Sequence, residues 1–360
     1  MQTSRFAYLT NHGVCDIFYA IGNKCFNTVT HVSFTKFETI PFCVAAVERN
    51  EKMETLIKTG KMTILPKYGR VLKLEPIPGV NVLWENPANW LTSYGWINPG
   101  GDRVWIAPEN ELFAASATDC SYAVPQGIDP GRWSVVSETA DKIEMVNDVT
   151  LDFVMRGKKM DLKMTRTITE LESDAPAGVA FAGYEQKLQL DAVGTFPSDL
   201  RPDLWSVLQL PPGGRILFPA ENPVLYMGVM PADKGVDGIY SFPVPAKDEH
   251  FKIGVTPSEC RGIMAYINTE CEKPFLVIRT FKSYKDGRYV DAPTGAPDKP
   301  CAQQFYFDEG VLGGFGEMEY HSQYITPEKP SITDTSILQA YVGTEEQLNA
   351  IVREKFSAVL

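Results

Sequence analysis

The chain has 360 residues, of which 44% are hydrophobic and 22% charged, proportions typical of a folded globular protein rather than a disordered one. Its formal net charge is −11, with 45 acidic against 34 basic residues. A net negative surface repels phosphate groups, so neither nucleic acid nor an anionic membrane is expected as a partner. The length fits one large β domain or about two smaller domains.

The cysteine pattern and the lack of long apolar runs indicate the cellular compartment in which the protein is expected. No apolar run is long enough for a transmembrane helix, and the N-terminus lacks the apolar core of a signal peptide. The cysteines are odd in number and form no C-x-x-C, which does not favour a stapled secreted scaffold or a Cys-rich zinc site. We therefore expect a cytoplasmic protein with reduced thiols at Cys15, Cys25, Cys43, Cys120, Cys260, Cys271 and Cys301.

The segment GDRVWIAPEN is the first along the chain with a candidate site pattern. Alternation along a strand places Arg103, Trp105 and Glu109 on one face and apolar side chains on the other. An arginine fork, a flat indole and an accepting carboxylate are the composition of a sugar-binding site. The alternative is a structural Arg–Glu pair beside a packed tryptophan, and the sequence does not separate the two.

Residues 150–171 predict two strands that turn near Gly157. In the second strand Arg166 interrupts an apolar row formed by Met160, Leu162, Met164 and Ile168. A charge on a buried face needs a partner or a wet cavity. Arg279 is similarly placed in PFLVIRTF, so either arginine is a candidate to reach the same cavity. For each, an arginine that extends to solvent at a strand end is the alternative.

The late segment FGEMEYHS carries the densest group of titratable side chains. As a strand it places Glu317, Glu319 and His321 on one face, about 6.6 Å apart along the strand. Two carboxylates and an imidazole in a row couple their titrations and supply the base and acid that proton transfer at a sugar ring requires. The alternative is a solvated edge strand with a charged outer face.

The C-terminus predicts a helix. Thr344 and Gln347 form a capping box, and an apolar stripe follows at Leu348, Ile351, Val352 and Phe356. Elsewhere period-two patterning with frequent turn signals, and no βαβ rhythm, predicts an all-β antiparallel sandwich. No metal-ligand, phosphate-loop or nucleophile-elbow motif is found, so neither a metal nor a cofactor is expected.

Three stretches together resemble the aldose 1-epimerase, or galactose mutarotase-like, superfamily, as an uncharacterised branch of it. They are METLIKTGKMTILPKYGRVLKLEPIPGVNVLWENP from Met53, NPGGDRVWIAPEN from Asn98, and FGEMEYHSQYITPEKPSITDTSILQAYVG. The resemblance implies a β-supersandwich of two large antiparallel sheets over residues 53–343, with a sugar site on a concave sheet face. Residues 1–52 then form an N-terminal extension packing on the sandwich, and residues 344–360 form the C-terminal helix.

The resemblance also implies roles. The catalytic carboxylate of the family comes from the late strand, where Glu319 is the closest positional match and Glu317 the alternative. The mid-chain histidine of the family is absent: the corresponding region, VAFAGYEQKLQLDAVG, has Tyr184 and Glu185 instead. Either of these, or His321, could stand in as the proton donor.

Two functions therefore remain open from the sequence. One is a carbohydrate-active isomerase that interconverts the anomers of a small-molecule sugar by carboxylate acid/base chemistry. The other is a non-catalytic carbohydrate-binding or sensing domain on the same fold, which the missing histidine favours. The oligomeric state is not indicated.

Overall fold

A computed structural model describes the backbone of residues 4–9, 15–20 and 25–28, and residues 56–359 apart from 88–89, 91, 93–95, 231–232, 236–237, 246–249, 309 and 311. Of the predicted N-terminal extension, only those three strands lie within the described residues. Its packing on the sandwich therefore stays a prediction.

Strands dominate the chain. In order they are β1 (Ser4–Leu9), β2 (Cys15–Ala20), β3 (Cys25–Thr28), β4 (Ile57–Thr59), β5 (Met62–Leu65), β6 (Arg70–Leu74), β7 (Asp102–Ala107), β8 (Ser134–Glu138), β9 (Lys142–Phe153), β10 (Lys158–Glu170), β11 (Ala180–Val193), β12 (Asp203–Leu210), β13 (Arg215–Pro219), β14 (Val224–Gly228), β15 (Asp233–Lys234), β16 (Ile239–Pro243), β17 (His250–Val255), β18 (Ile263–Asn268), β19 (Phe275–Phe281), β20 (Gln303–Asp308), β21 (Gly316–His321) and β22 (Ser331–Val342). The α-helices are α1 (Glu109–Leu112) and α2 (Glu345–Ser357), and 3₁₀ turns lie at Pro66–Tyr68 and Val154–Arg156.

Two large antiparallel sheets form the body of the molecule. The nine-stranded sheet runs β14-β17-β20-β21-β12-β7-β6-β5-β4, and the ten-stranded sheet runs β15-β16-β13-β18-β19-β22-β11-β10-β9-β8. Strands β1 to β3 form a separate three-stranded sheet. The predicted fold class, an all-β antiparallel sandwich with a short C-terminal helix, is confirmed.

Strict alternation of apolar and polar side chains explains the register in which the long strands β9 and β10 pair. β9 and β10 form the predicted hairpin, and Gly157 closes its turn in the left-handed conformation with φ 61°. Along β10 the apolar side chains are buried while most of the intervening residues are partly or fully exposed. This pattern fixes the register, because a shift of one residue would turn the apolar row outward.

Two glycines bring β7 close to its neighbours. Gly100 and Gly101 have positive φ values of 99° and 77°. A Cβ at Gly101 would lie 2.2 Å from the carbonyl oxygen of Val71, and one at Gly100 would lie 2.3 Å from that of Trp84. Only glycine therefore permits this close approach, which sets the start of the strand that carries Arg103.

Helix α2 packs on the ten-stranded sheet. Its capping box is formed as predicted, since Thr344 accepts from the Gln347 backbone and Gln347 accepts from the Thr344 backbone. The predicted apolar stripe is buried in a cluster with β18 and β19 residues, namely Leu348, Ile351, Val352 and Phe356 against Ile263, Ala265, Leu276 and Ile278. The helix therefore covers the face of this sheet that the nine-stranded sheet does not.

The cysteines only partly match the expectation. Cys260, Cys271 and Cys301 are free thiols. Cys120 is disulfide-bonded, so the expectation of a fully reduced set is wrong for this residue. Within the described part of the chain, no helix has the length and apolarity needed to cross a membrane. The cytoplasmic location stays a prediction.

Candidate functional site

The two rows singled out in the sequence flank one central strand. Strand β12 pairs with β7 on one side and β21 on the other, and Val207 lies opposite both Arg103 and Glu319. Trp205 likewise lies opposite both Trp105 and His321. The predicted residues of β7 and β21 therefore meet on the face of the nine-stranded sheet that is turned away from the ten-stranded sheet.

Arg103 and Glu317 form a buried ion pair at one end of this face. The Arg103 Nη2 lies 2.8 Å from the Glu317 Oε1, and Gln209 Nε2 donates to the same oxygen at 2.9 Å. The guanidinium carbon lies 4.1 Å from the Trp105 ring centroid. The sequence alternative of an Arg–Glu pair within GDRVWIAPEN is not formed, because Arg103 pairs with Glu317 of β21 and Glu109 pairs with Lys252.

Glu319 occupies the centre of the face and is fully buried. Its Oε2 accepts from Trp205 Nε1 at 2.7 Å and lies 3.5 Å from Lys252 Nζ. Burial raises the pKa of Glu319 to about 7; Lys252 opposes the shift, and the Glu317 carboxylate adds to it. A carboxylate that titrates near neutral pH is suited to act as a general base.

His321 is held by a second carboxylate. Its Nδ1 lies 3.0 Å from the Asp203 Oδ1, and its ring stacks on Trp205 with ring centroids 5.6 Å apart. Burial alone would lower the pKa of His321, but the Asp203 carboxylate raises it above its usual value. Because Nδ1 donates to Asp203, the Nε2 of the protonated ring carries a second proton that can be given away.

Lys252 of β17 forms an ion pair that connects the sheet to Glu109, at the start of α1. Its Nζ lies 3.1 Å from the Glu109 Oε2, and the Glu109 backbone N–H donates to the Asp291 carboxylate at 3.1 Å. Burial alone would lower the pKa of Lys252, but Glu109 and Glu319 raise it, so the ammonium stays charged. Glu109 thus lies in the same cluster as the sheet residues, at the start of α1.

Aromatic side chains cover the site. Phe113 packs with ring centroids 4.9 Å from Trp105 and 5.8 Å from Trp205, and Trp96 lies 5.5 Å from Trp105. As a result Arg103 is only 3% exposed and His321 only 1%. Apolar rings around a few convergent polar groups are typical of a small-molecule site.

Several polar atoms of the sheet residues beneath this cover have no hydrogen-bond partner among the described residues. These buried atoms are Glu319 Oε1, His321 Nε2, Arg103 Nε and Nη1, Gln209 Oε1 and Asp203 Oδ2. An unpaired buried polar atom costs free energy, and such atoms concentrate where water or a ligand completes them. The six atoms belong to residues on the same side of the nine-stranded sheet, so they are available to bind water or a ligand there.

The structure places the other candidate residues elsewhere. Arg166 and Arg279 both pair with Asp102, and the Tyr184 hydroxyl donates to the same carboxylate. This cluster lies between the two sheets, on the opposite face of β7 from Arg103. Glu185 is exposed, since it alternates with the inward Tyr184. None of these four residues joins the group around Glu319.

Several residues of the site were not singled out in the sequence, among them Lys252, Asp203 and Trp205. Lys252 interrupts the apolar run HFKIGV, a signal of the same kind as Arg166. Asp203 and Trp205 lie on a strand that is buried on both faces, so alternation gives no contrast there. Within the described residues, no group of three or more His, Cys, Asp or Glu side chains is arranged to hold a metal ion.

Comparisons with known proteins give structural likenesses at low identity. A galactose 1-epimerase from Lactobacillus acidophilus NCFM aligns with a TM-score of 0.44 and 10% identity, over 95% of this chain and 99% of that one. A galactose mutarotase-like protein from Lactobacillus casei ATCC 334 aligns with a TM-score of 0.40 and 9% identity, over 80% of this chain and 99% of that one. A GalM/aldose epimerase homologue from C. elegans aligns with a TM-score of 0.43 and 9% identity, over 81% of this chain and 98% of that one.

No family model matches the chain, and no curated protein matches it. Likenesses at this level of TM-score and identity carry no information on the activity of this chain.

Proposed function

We propose that the protein binds a sugar on the outer face of the nine-stranded sheet and interconverts its anomers by proton transfer. The observation that carries the proposal is the pair of unpartnered buried atoms, Glu319 Oε1 and His321 Nε2, on one strand face. One belongs to a carboxyl group whose pKa is raised to about 7, the other to an imidazole whose pKa is raised above its usual value.

The two groups match the chemistry of anomer interconversion. Opening a hemiacetal requires a base to take the proton of the anomeric hydroxyl and an acid to protonate the ring oxygen. Glu319 serves as the base through Oε1, because Trp205 and Lys252 hold its other oxygen. His321 serves as the acid through Nε2. Ring closure on the other face of the carbonyl, with the proton transfers reversed, gives the second anomer.

The remaining groups bind and orient the sugar. Arg103 has two unpartnered nitrogens, Nε and Nη1, that can donate to hydroxyls, and Gln209 has an unpartnered carbonyl oxygen that can accept from hydroxyls. The indole of Trp105 supplies the apolar surface that the C–H face of a pyranose requires. Glu317 holds Arg103 in place, and Glu109 positions Lys252.

The test is exchange NMR between the anomers of glucose, galactose, N-acetylglucosamine and uronic acids, with and without the protein. We expect exchange faster than the buffer rate for at least one sugar, and saturation at rising concentration. Exchange at the buffer rate across the whole panel would overturn the catalytic proposal.

Non-catalytic sugar binding is the second candidate. It is favoured by the position of Tyr184, one of the mid-chain residues that could replace the missing histidine, because that hydroxyl lies between the sheets and not in the site. A thermal-shift panel separates the two candidates: a sugar that raises the melting temperature without faster anomer exchange supports binding alone.

A further inference from the structure

A large groove adjoins the candidate site. Its volume is about 1050 Å³, and it lies between the segment 122–132 and strands β9 and β10. The lining residues used below are Trp96, Tyr122, Asp129, Thr150, Asp161 and Val193. Nothing in the proposed chemistry at Glu319 and His321 uses this space.

The inner wall of the groove consists of side chains that touch the site. Trp96 has its ring centroid 5.4 Å from the Arg103 guanidinium carbon, and Asp129 accepts from Trp105 Nε1 at 3.0 Å. Tyr122 contacts the cover of the site as well, since its ring centroid lies 5.8 Å from that of Phe113. The inner wall of the groove therefore contacts Arg103, Trp105 and Phe113, which border the site.

Tyr122 is the part of this wall that is least enclosed. It is 39% exposed, whereas Phe113, the ring that it contacts, is 5% exposed. The neighbouring residues 117–119 are exposed as well. Because the site residues are buried, entry from the groove would require the Tyr122 ring to move toward solvent.

The groove is too large for a single sugar ring. Pockets of about 300 to 1,000 Å³ enclose drug-sized ligands, and one pyranose is smaller than these. Its wall combines the Trp96 ring with polar side chains such as Thr150 and Asp161. An aromatic ring followed by hydrogen-bonding groups suits a row of sugar units better than an apolar ligand, because every hydroxyl needs a partner when it leaves water.

We propose that the substrate is an oligosaccharide, with its reducing-end unit at Glu319 and His321 and the following units along the groove. This proposal rests on the proposed function, since it assigns the anomeric centre to that site. It predicts that the number of sugar units in the ligand, and not only the identity of the sugar, determines the affinity of the protein for it.

Isothermal titration calorimetry with matched series tests the proposal. The probes are glucose, maltose and maltotetraose, then cellotetraose, and N-acetylglucosamine with chitotetraose. We expect one tetrasaccharide to bind at least tenfold more tightly than its monosaccharide. Equal affinity for the two lengths would overturn the groove assignment while leaving the proposed function intact. No binding at either length would overturn both.

A matched pair of variants locates the effect. Val193→Trp fills the groove from its wall, where Val193 is 47% exposed, and Val136→Trp makes the same change at a residue outside the lining that is 54% exposed. We expect Val193→Trp to remove the tenfold gain and leave monosaccharide affinity within twofold, while Val136→Trp changes neither. A gain that persists in both variants would place the additional units outside the groove and overturn the proposal.

Discussion

Glu319 is the residue on which the proposed chemistry depends. Its Oε1 has no partner among the described residues, and Oε2 is fixed by Trp205. Glu319→Gln keeps the shape and removes the basic oxygen. We expect anomer exchange to fall by a factor on the order of 10² to 10⁴, with sugar affinity kept within about tenfold.

Glu317→Gln is the comparison for this change. The Glu317 oxygen already accepts from Arg103 and Gln209, so its substitution should affect binding more than the rate. Exchange that survives Glu319→Gln but is lost in Glu317→Gln would move the base two residues along the strand.

The Lys252 ammonium should set the pH at which Glu319 becomes active. The pKa of Glu319 is raised to about 7, and Lys252 keeps it from rising further. Activity should therefore increase as the pH rises through about 7, when the carboxylate form appears. Lys252→Met should move this limb of the pH–rate profile to higher pH. A limb that does not move would mean that the charge of Lys252 does not act on the base.

Arg103 and Glu317 should behave as a coupled pair in stability. Both are buried, with side chains 4% and 6% exposed. Arg103→Met leaves the Glu317 carboxylate without its cation, and breaking a buried pair in this way costs about 3 to 5 kcal/mol. The double variant Arg103→Met/Glu317→Gln should recover much of that loss. Urea unfolding of all four proteins completes the cycle, and purely additive losses would show that the pair is not coupled.

At the scale of elements, alternation along strands predicted which side chains share a face. It grouped Glu317 with Glu319 and His321, and Arg103 with Trp105, as the structure has them. Alternation cannot say which face meets the other sheet, because both faces of a central strand are buried here. For Arg166 the sequence offered the cavity or solvent, whereas the side chain is fully buried between the sheets and pairs with Asp102.

The sequence alone could not indicate which residues of distant strands join the site. Lys252 and Asp203 join the site only because β17 and β12 are neighbours of β20 and β21 in the sheet. Strand order is set by long-range packing, which leaves no local signal in the residues. The C-terminal helix, by contrast, depends on local capping and periodicity and was predicted to within one residue at its start.

The capping box of α2 gives a prediction at this scale. Thr344→Ala removes the acceptor for the Gln347 backbone N–H, and we expect the free energy of unfolding to fall by about 1 kcal/mol. Thr344→Ser retains the hydroxyl, so its free energy of unfolding should fall by much less. Equal losses in the two variants, measured by denaturant unfolding, would attribute the effect to the methyl group instead.

At the scale of the whole molecule, a charged cluster joins the two sheets. Asp102 of the nine-stranded sheet pairs with Arg166 and Arg279 of the ten-stranded sheet, and all three side chains are fully buried. Arg279 also donates to Ser206 at 3.0 Å. Such a cluster tolerates little displacement, because an isolated buried charge is costly. It therefore favours one alignment of the sheets over others.

Asp334 of β22 is the titratable group through which this interior should respond to pH. It is 8% exposed, and burial raises its pKa to about 7, against the opposing effects of the Tyr320 hydroxyl and Arg279. Because the folded state binds this proton more tightly than the unfolded chain, the contribution to stability is present below about pH 4 and lost as pH rises through about 7.

Asp334→Asn should therefore make stability less dependent on pH. Urea unfolding at pH 5 and pH 8 should show a smaller loss for this variant than for the parent protein. The difference should be a few kcal/mol at most, since one pKa unit corresponds to about 1.4 kcal/mol. Asp152→Asn, a matched change at a carboxylate that is 52% exposed, is the control and should leave the pH dependence unchanged. Glu319 and Asp203 titrate in the same window but are present in all three proteins, so their effects cancel in the comparison. Parallel losses in Asp334→Asn and the parent would show that the Asp334 carboxyl is not the group that links pH to the stability of the sandwich.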